Sequence, residues 1–351
     1  MKKNLSTYLD ALRVLAATAV FVSHLSWQEI SGGFLWQAQP YGHPAVIVFF
    51  VLSGFLIQYS VAAARKNSLA DYTVARLGRL YSVVVPALIL TYLFDRIGAA
   101  HNPAAYIASH EDRPLMRLAA GMLFLNQSWT WNLPLFSNDP FWSLPYEFWY
   151  YAIFGAVVYL RGWGRWLAVA LFSLIAGPAI LLFLPIWLFG VFAYRLGTAM
   201  AMGRARAATL FFLTLLLSAI LIAAGHRYFK SYNMDYLPPA FSPADFPLGL
   251  CLAVNLAAAM HMRLHFAWLE RPIKWLAGMT FALYLFHLPL LHLVSVFVPP
   301  ETRLRGIIIG LATLFAVWAL SLGTERKRYL WDGFFRRLIS APTEAKRLER
   351  A

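Results

Sequence analysis

Hydrophobic and polar positions divide the chain into apolar runs of about 20 residues separated by short polar stretches. The runs fall near 9–27, 45–64, 80–98, 143–160, 166–184, 186–202, 207–224, 246–262, 273–298 and 306–323. At about 1.5 Å per residue, runs of this length predict helices that cross a hydrocarbon core. A further stretch, 118–125, is ambiguous by length, and charge decides it. Lys2/Lys3, Arg65/Lys66/Arg76/Arg79, Arg161/Arg165, Arg204/Arg206, Arg263/Arg271/Lys274 and Arg326/Lys327/Arg328 should all face the cytoplasm. These clusters occupy alternate connections only if 118–125 does not cross, which predicts an interfacial or re-entrant segment buried against other helices.

The expected fold class is all-α: a polytopic transmembrane bundle of about ten spans with both termini cytoplasmic. Residues 1–323 form one membrane domain in this reading, and 324–351 a short basic cytoplasmic tail. The connections 28–44, 99–142 and 225–245 are then outside. They are long and rich in aromatic, Pro and polar residues, which suits a binding surface better than simple connectors.

Composition supports the membrane assignment. The 351 residues are 60% hydrophobic and only 13% charged, against about 25% charged in soluble domains. A formal net charge of +14 could suggest nucleic acid. The cations instead gather in short loops between apolar runs, which is the orientation signal of a membrane protein. The single Cys251 excludes an intrachain disulfide and a Cys-based zinc site. No cleavable signal is expected, because the first apolar run carries charges and lacks a small-residue cleavage site.

Ionisable residues inside membrane helices are costly and usually functional. Arg13 and His24 share the first run. Eleven steps of about 100° bring them to within roughly 20° on one helix face, about 16 Å apart along the axis. Arg13, Arg76 and Arg79 gather toward the inner surface, with Tyr81 just inside. Three fixed cations could hold a polyphosphate in forked contacts. Ordinary positive-inside charge is the competing account for Arg76 and Arg79, and Asp10 can neutralise Arg13 at i,i+3.

A second polar group lies toward the outer face. His24 sits about 5 Å below the outer end of its helix, taken at Trp27. Glu147, at the end of Phe141-Trp142-Ser143-Leu144-Pro145-Tyr146-Glu147, is expected at a similar depth, and His287 near the middle of its own span. A carboxylate beside an imidazole fixes its tautomer and raises its basicity, making a general base. A structural polar network between helices is the competing account. His261 and His265 read as interfacial, and His292 as facing the outer vestibule. No carboxylate and His pair has metal-ligand spacing on one helix face. Ser53 and Ser143 lack a nucleophile-elbow context. Ser53-Gly54 reads as a site of close helix packing.

These residues resemble the membrane-bound acyltransferase type 3 family. Leu9-Asp10-Ala11-Leu12-Arg13 followed by His24 is similar to that family's Arg–ten residues–His motif. Val48-Phe49-Phe50-Val51-Leu52-Ser53-Gly54-Phe55-Leu56-Ile57 resembles its second-helix signature. Arg76-Leu77-Gly78-Arg79-Leu80-Tyr81 resembles its paired-Arg-then-Tyr element, with Ser82 where Pro is common. Phe141 to Glu147 resembles its Trp-Ser-Leu-x-x-Glu motif, although Phe148 replaces the polar residue usual after the Glu. Tyr284-Leu285-Phe286-His287-Leu288-Pro289 is similar to its late Tyr-Leu-x-His-x-Pro element.

The resemblance implies transfer of an acyl group, commonly acetyl, from coenzyme A to a hydroxyl. It implies no permanently bound cofactor, with acyl-CoA as co-substrate. The acceptor would be an envelope or exported glycan or a lipid-linked saccharide, in a bacterial cytoplasmic membrane. In that scheme His24, Glu147 and Arg13 are catalytic. Arg13, Arg76, Arg79 and Tyr81 hold the donor, and Trp142, Ser143, His287 and Asp10 meet substrate. Coenzyme A would enter from the cytoplasm and the acceptor from outside. His24 would act as base with Glu147 orienting it, or as the carrier of a covalent acyl group. The alternative is a proton-coupled transporter or flippase of an envelope precursor, using buried His, Glu and Arg as a relay. Paired broken helices in repeated halves, which would favour it, are not seen. A non-catalytic scaffold is a third reading, weakened by the intact motifs.

Overall fold

The computed structural model describes residues 3–63, 68–106, 112–228 and 241–348. Lys2, Arg65, Lys66 and most of the 225–245 connection lie outside the described residues. Among those described, the chain is helical and contains no strand.

The helices follow the apolar runs. They are α1 (Lys3–Leu25), α2 (Gln28–Ser31), α3 (Gly42–Ala63), α4 (Leu69–His101), α5 (Pro114–Met122), α6 (Ser143–Tyr159), α7 (Gly162–Ala176), α8 (Pro178–Ala199), α9 (Arg204–Tyr228), α10 (Asp245–Ala259), α11 (Glu270–Ala277), α12 (Thr280–Phe297), α13 (Arg305–Gly323) and α14 (Arg328–Leu348). Seven of the described helices are long and apolar enough to cross a membrane: α1, α3, α4, α8, α9, α12 and α13, the last continuing into α14. The other three runs are the shorter helices α6, α7 and α10, of 17, 15 and 15 residues. The protein is a polytopic transmembrane helical bundle. The stretch 118–125 falls in α5 and the turn after it. With nine residues, α5 is about 14 Å long, under half a hydrocarbon core. It is pinned by Arg117, whose guanidinium donates to the carbonyls of Asp112 (2.9 Å) and Pro134 (2.7 Å). Asp112, on the loop before α5, is held below the usual carboxylate range by its hydrogen bond from Arg117.

Close packing centres on α3 and α8. A Cβ on Gly54 would lie 2.0 Å from the Trp187 carbonyl oxygen, and one on Gly190 would lie 1.9 Å from that of Val51. Only hydrogen at these two positions lets the backbones approach. This is the close packing expected at Ser53-Gly54, and it carries Ser53 into the bundle interior.

Several boundaries differ from those expected. The break between the fifth and sixth runs lies at Gly177-Pro178, not near Pro185. Gly177 has φ +83°, and a Cβ there would lie 2.6 Å from the Trp129 amide nitrogen. Pro178 then occupies the first turn of α8, where its missing N–H costs nothing. Pro185 stays inside α8. The run 273–298 is split at Gly278-Met279 into amphipathic α11 and buried α12. The helix of the third run begins eleven residues early, at Leu69, where Ser68 and Asp71 form a reciprocal capping box. At 33 residues, α4 is about 50 Å long, so Arg76 and Arg79 lie two to three turns inside it.

The residues after 323 include a long helix docked on α4. Trp331 and Phe335 pack on Tyr81 at 6.4 and 5.4 Å between ring centroids. Arg328 donates to the Ala75 carbonyl (2.9 Å), and Arg336 pairs with Asp71 (3.1 Å).

Candidate active site

Five helices converge on a cavity that opens at one end of the bundle. Arg13 from α1 and Arg79 from α4 line it, with Ser53 from α3, Ser143 and Glu147 from α6, and Tyr284 from α12. Arg13 and Arg79 also line the adjoining mouth, where Glu325, Arg326 and Arg328 join them. Inner cavity and mouth share Arg13, Arg79, Thr280 and Phe281, so they form one path. Four guanidinium groups along one path strongly favour an anionic ligand.

Each cation is held differently. Arg13 is paired with Asp10 at 3.3 Å, the i,i+3 contact expected from the sequence. Arg79 lies 3.9 Å from Glu147 and over the Phe281 ring at 5.9 Å. Glu325 accepts the Ala282 amide at 3.0 Å, placing a carboxylate on the N-terminus of α12. Arg76 lies apart from this path. It faces a separate, largely apolar cavity beside Tyr72 and Tyr151, donates to Ser60 (3.3 Å), and stands over both tyrosine rings. Tyr81 donates to the Met122 carbonyl (2.7 Å) and underlies α14. Neither residue lines the Arg13–Arg79 path.

Glu147 is held by α3 and by its own helix. It accepts from Ser53 Oγ at 2.9 Å and from the Tyr151 hydroxyl one turn on. Trp187 Nε1 donates to the same Ser53 oxygen at 3.1 Å, across the tight α3–α8 crossing. Ser53 is thus a strut for the carboxylate. No sequence signal near Glu147 reveals this partner, since the two residues are 94 positions apart.

His24 has a different partner from the one expected. Its Nδ1 lies 2.9 Å from Nε2 of His287. His287 is fully buried, and its own Nδ1 lies 2.8 Å from the Leu283 carbonyl. A carbonyl only accepts, so His287 Nδ1 carries the hydrogen and its Nε2 is the acceptor. His24 Nδ1–H therefore donates, which leaves the lone pair of neutral His24 on Nε2. The structure brings His24 together with His287; the hydrogen-bond partners of Glu147 are Ser53 and Tyr151. The rings run on from His287 to the cavity wall, with Tyr284 6.4 Å from His287 and Phe49 5.7 Å from Tyr284. Tyr284 is fixed by Ser143 Oγ (2.7 Å) and the Pro140 carbonyl (3.0 Å). Trp142 stacks on His43 at 6.4 Å, and His43 is paired with Asp245 at 2.9 Å. His292 lies against Trp27. No group of metal-ligating side chains is found among the described residues.

Sequence reasoning missed Glu325, Arg326 and Arg328 as parts of the path. The two arginines were visible only as orientation charge; the turn from α13 into α14 sets both along the mouth, with Arg326 exposed over the Trp275 ring at 5.9 Å.

No solved structure gives a significant match. Among curated proteins, an O-acetyl transferase of Shigella phage Sf6 is 32% identical over 221 residues, covering 56% of this chain and 62% of its own. The acyltransferase MdmB of Streptomyces mycarofaciens is 30% identical over 156 residues, 42% of this chain and 37% of that one. A putative peptidoglycan O-acetyltransferase of Bacillus subtilis, YrhL, is 33% identical over 96 residues, 25% of this chain and 14% of that one. The chain thus aligns with under two thirds of the length of each. The acyltransferase domain family matches residues 6–322, nearly the whole helical bundle and every site residue before Glu325, and the chain belongs to that family.

Proposed function

We propose that the protein is an integral membrane O-acyltransferase that moves an acyl group, acetyl by default, from cytoplasmic acyl-CoA to a hydroxyl of an envelope or exported glycan. The observation that carries this reading is the series Leu283 carbonyl–His287–His24, which presents a neutral Nε2 lone pair. The ring series links it to an arginine-lined path. Family membership favours transfer chemistry over the transporter alternative. The names of the relatives support an acetyl group and a glycan acceptor.

In this mechanism Arg13, Arg79, Arg326 and Arg328 bind the phosphates of coenzyme A at the mouth, which would face the cytoplasm of a bacterial inner membrane. The pantetheine arm runs along the cavity past Ser53 and Tyr284. His24 Nε2 accepts the proton of the acceptor hydroxyl as its oxygen attacks the thioester carbonyl. The carbon–sulfur bond breaks, and the imidazolium returns the proton to the leaving thiolate. His287 holds the tautomer throughout, and Glu147 counters Arg79 on the cavity wall.

The test is thioester-dependent labelling. Inverted membrane vesicles, loaded in the lumen with an oligosaccharide acceptor, are given acetyl-CoA labelled in the acetyl group. Transfer should require the thioester and be lost in His24→Gln. Label appearing in saccharide at equal rates with free acetate, or in vesicles without the protein, would refute the proposal.

A further inference from the structure

At the other end of the bundle lies a further cavity of about 300 Å³, at the lower end of the size range of small-molecule sites. It lies beyond the arginine path along α4. Its wall residue Asn138 is bonded to Thr91, twelve residues and about 18 Å beyond Arg79. Four amides line it, Asn126, Gln127, Asn132 and Asn138, with Asp139 and Trp142. The rest of the wall is apolar, and no Lys or Arg lines it.

We propose that this cavity binds a neutral sugar residue of the acceptor, an assignment that rests on the transfer reading above. Amides both donate and accept without charge, which matches the hydroxyls of a sugar ring. Trp142 and the apolar wall offer a surface for the C–H face. The lack of a lining cation disfavours a phosphate or uronate, which a site of this kind would leave unpaired in a desolvated cavity.

The polar groups have spare capacity. Asn138 Nδ2 donates to Thr91 Oγ1 (3.1 Å) and to the Leu285 carbonyl (2.9 Å). A carbonyl only accepts, so this orientation is fixed. Asn138 Oδ1 is then left buried with no protein partner, as is Asn126 Oδ1. A buried carbonyl oxygen without a donor is costly, and ligand hydroxyls would supply donors. Gln127 and Asn132 bond to each other at 3.0 Å, which uses one polar group of each and leaves the second. The cavity is also tied to the catalytic elements. Leu285, which Asn138 holds, precedes His287 by two residues. Trp142 adjoins Ser143, which binds Tyr284.

The experiment uses the full chain in lipid nanodiscs with acetyl-CoA. Neutral hexose oligosaccharides are compared with hexuronate oligosaccharides of equal length. Asn132, which is exposed, and Gln127 are each changed to Ala. The wild type should favour the neutral series. Asn132→Ala and Gln127→Ala should each raise the acceptor KM by about two- to tenfold, as expected for losing one hydrogen bond, with acetyl-CoA affinity unchanged. Transfer by the wild type with unaltered acceptor KM in both variants, or a preference for hexuronates, would overturn the sugar-site assignment and leave the transfer reading standing. A wild type that binds acetyl-CoA but transfers to no hydroxyl would overturn both.

Discussion

The histidine pair makes a quantitative prediction. His287 touches neither the arginine path nor solvent, so replacing it acts on catalysis through His24. In His287→Leu the Nδ1–H of His24 loses its acceptor inside the bundle. An unsatisfied buried donor costs about 1–3 kcal/mol. The ring can escape this cost by moving its hydrogen to Nε2 or by turning, and either removes the basic lone pair from the reacting position. If that cost must be met to restore the active tautomer, the rate falls by about 5- to 160-fold, at about 1.36 kcal/mol per tenfold. His24→Gln removes the base itself and should lose about 10²–10⁴ in rate. His287→Gln offers a carbonyl oxygen to the same Nδ1–H and should recover much of what Leu loses. The assay is initial-rate acetyl transfer in nanodiscs, with acetyl-CoA affinity measured separately. That affinity should hold in all three variants, because Arg13 lies about 16 Å from His24 along α1. A folded His287→Leu enzyme with wild-type kcat would refute the tautomer argument. A His287→Gln enzyme no better than Leu would refute the acceptor role.

Arg79→Ala should weaken acetyl-CoA binding by about 10- to 160-fold, the equivalent of losing a charge-assisted contact worth about 1.5–3 kcal/mol, as read by isothermal titration calorimetry. Arg76→Ala should leave that affinity near wild type, since Arg76 faces a different cavity, and equal losses in the two variants would refute the separation of the two arginines. Gly190→Ala places a Cβ 1.9 Å from the Val51 carbonyl oxygen and should destabilise the bundle by about 1–3 kcal/mol; an unchanged Tm in detergent would refute the close crossing. With Cys251 replaced by Ser, single cysteines at the exposed positions Asn102 and Asn132 should both be labelled from outside, because α5 is too short to cross. Labelling from opposite faces would add a span between them.

The runs of apolar residues announced the bundle because length and hydropathy alone decide whether a segment can cross lipid, and each of the ten runs contains a helix. The helix ends were less legible. Pro185 looked like a break, yet a proline inside a membrane helix is tolerated when neighbours satisfy the freed carbonyl. The break fell instead at Gly177, where Trp129 from a distant loop occupies the place of a Cβ. Depth along each helix could be counted, so Arg13 and His24 were legible as points on one polar stripe. Azimuth between helices could not be counted, and it decided the partners. His24 was expected beside Glu147 because both lie near the same depth. The packing of α12 against α1 instead delivers His287, 263 positions away. The α3–α8 crossing draws Glu147 to Ser53. The same distinction separates Arg79 from Arg76. Three residues apart on one helix, they differ by about 60° in azimuth, enough to put one guanidinium on the path and the other against Tyr72 and Tyr151. A motif that lists both arginines together thus combines two environments, and the charges that complete the path, Arg326 and Arg328, come from beyond the end of the family match at residue 322. The donor site is therefore built jointly by the bundle that the family match covers and by the connection into α14, so shortening the chain after Gly323 should cost coenzyme A affinity even if every helix of the bundle still folds.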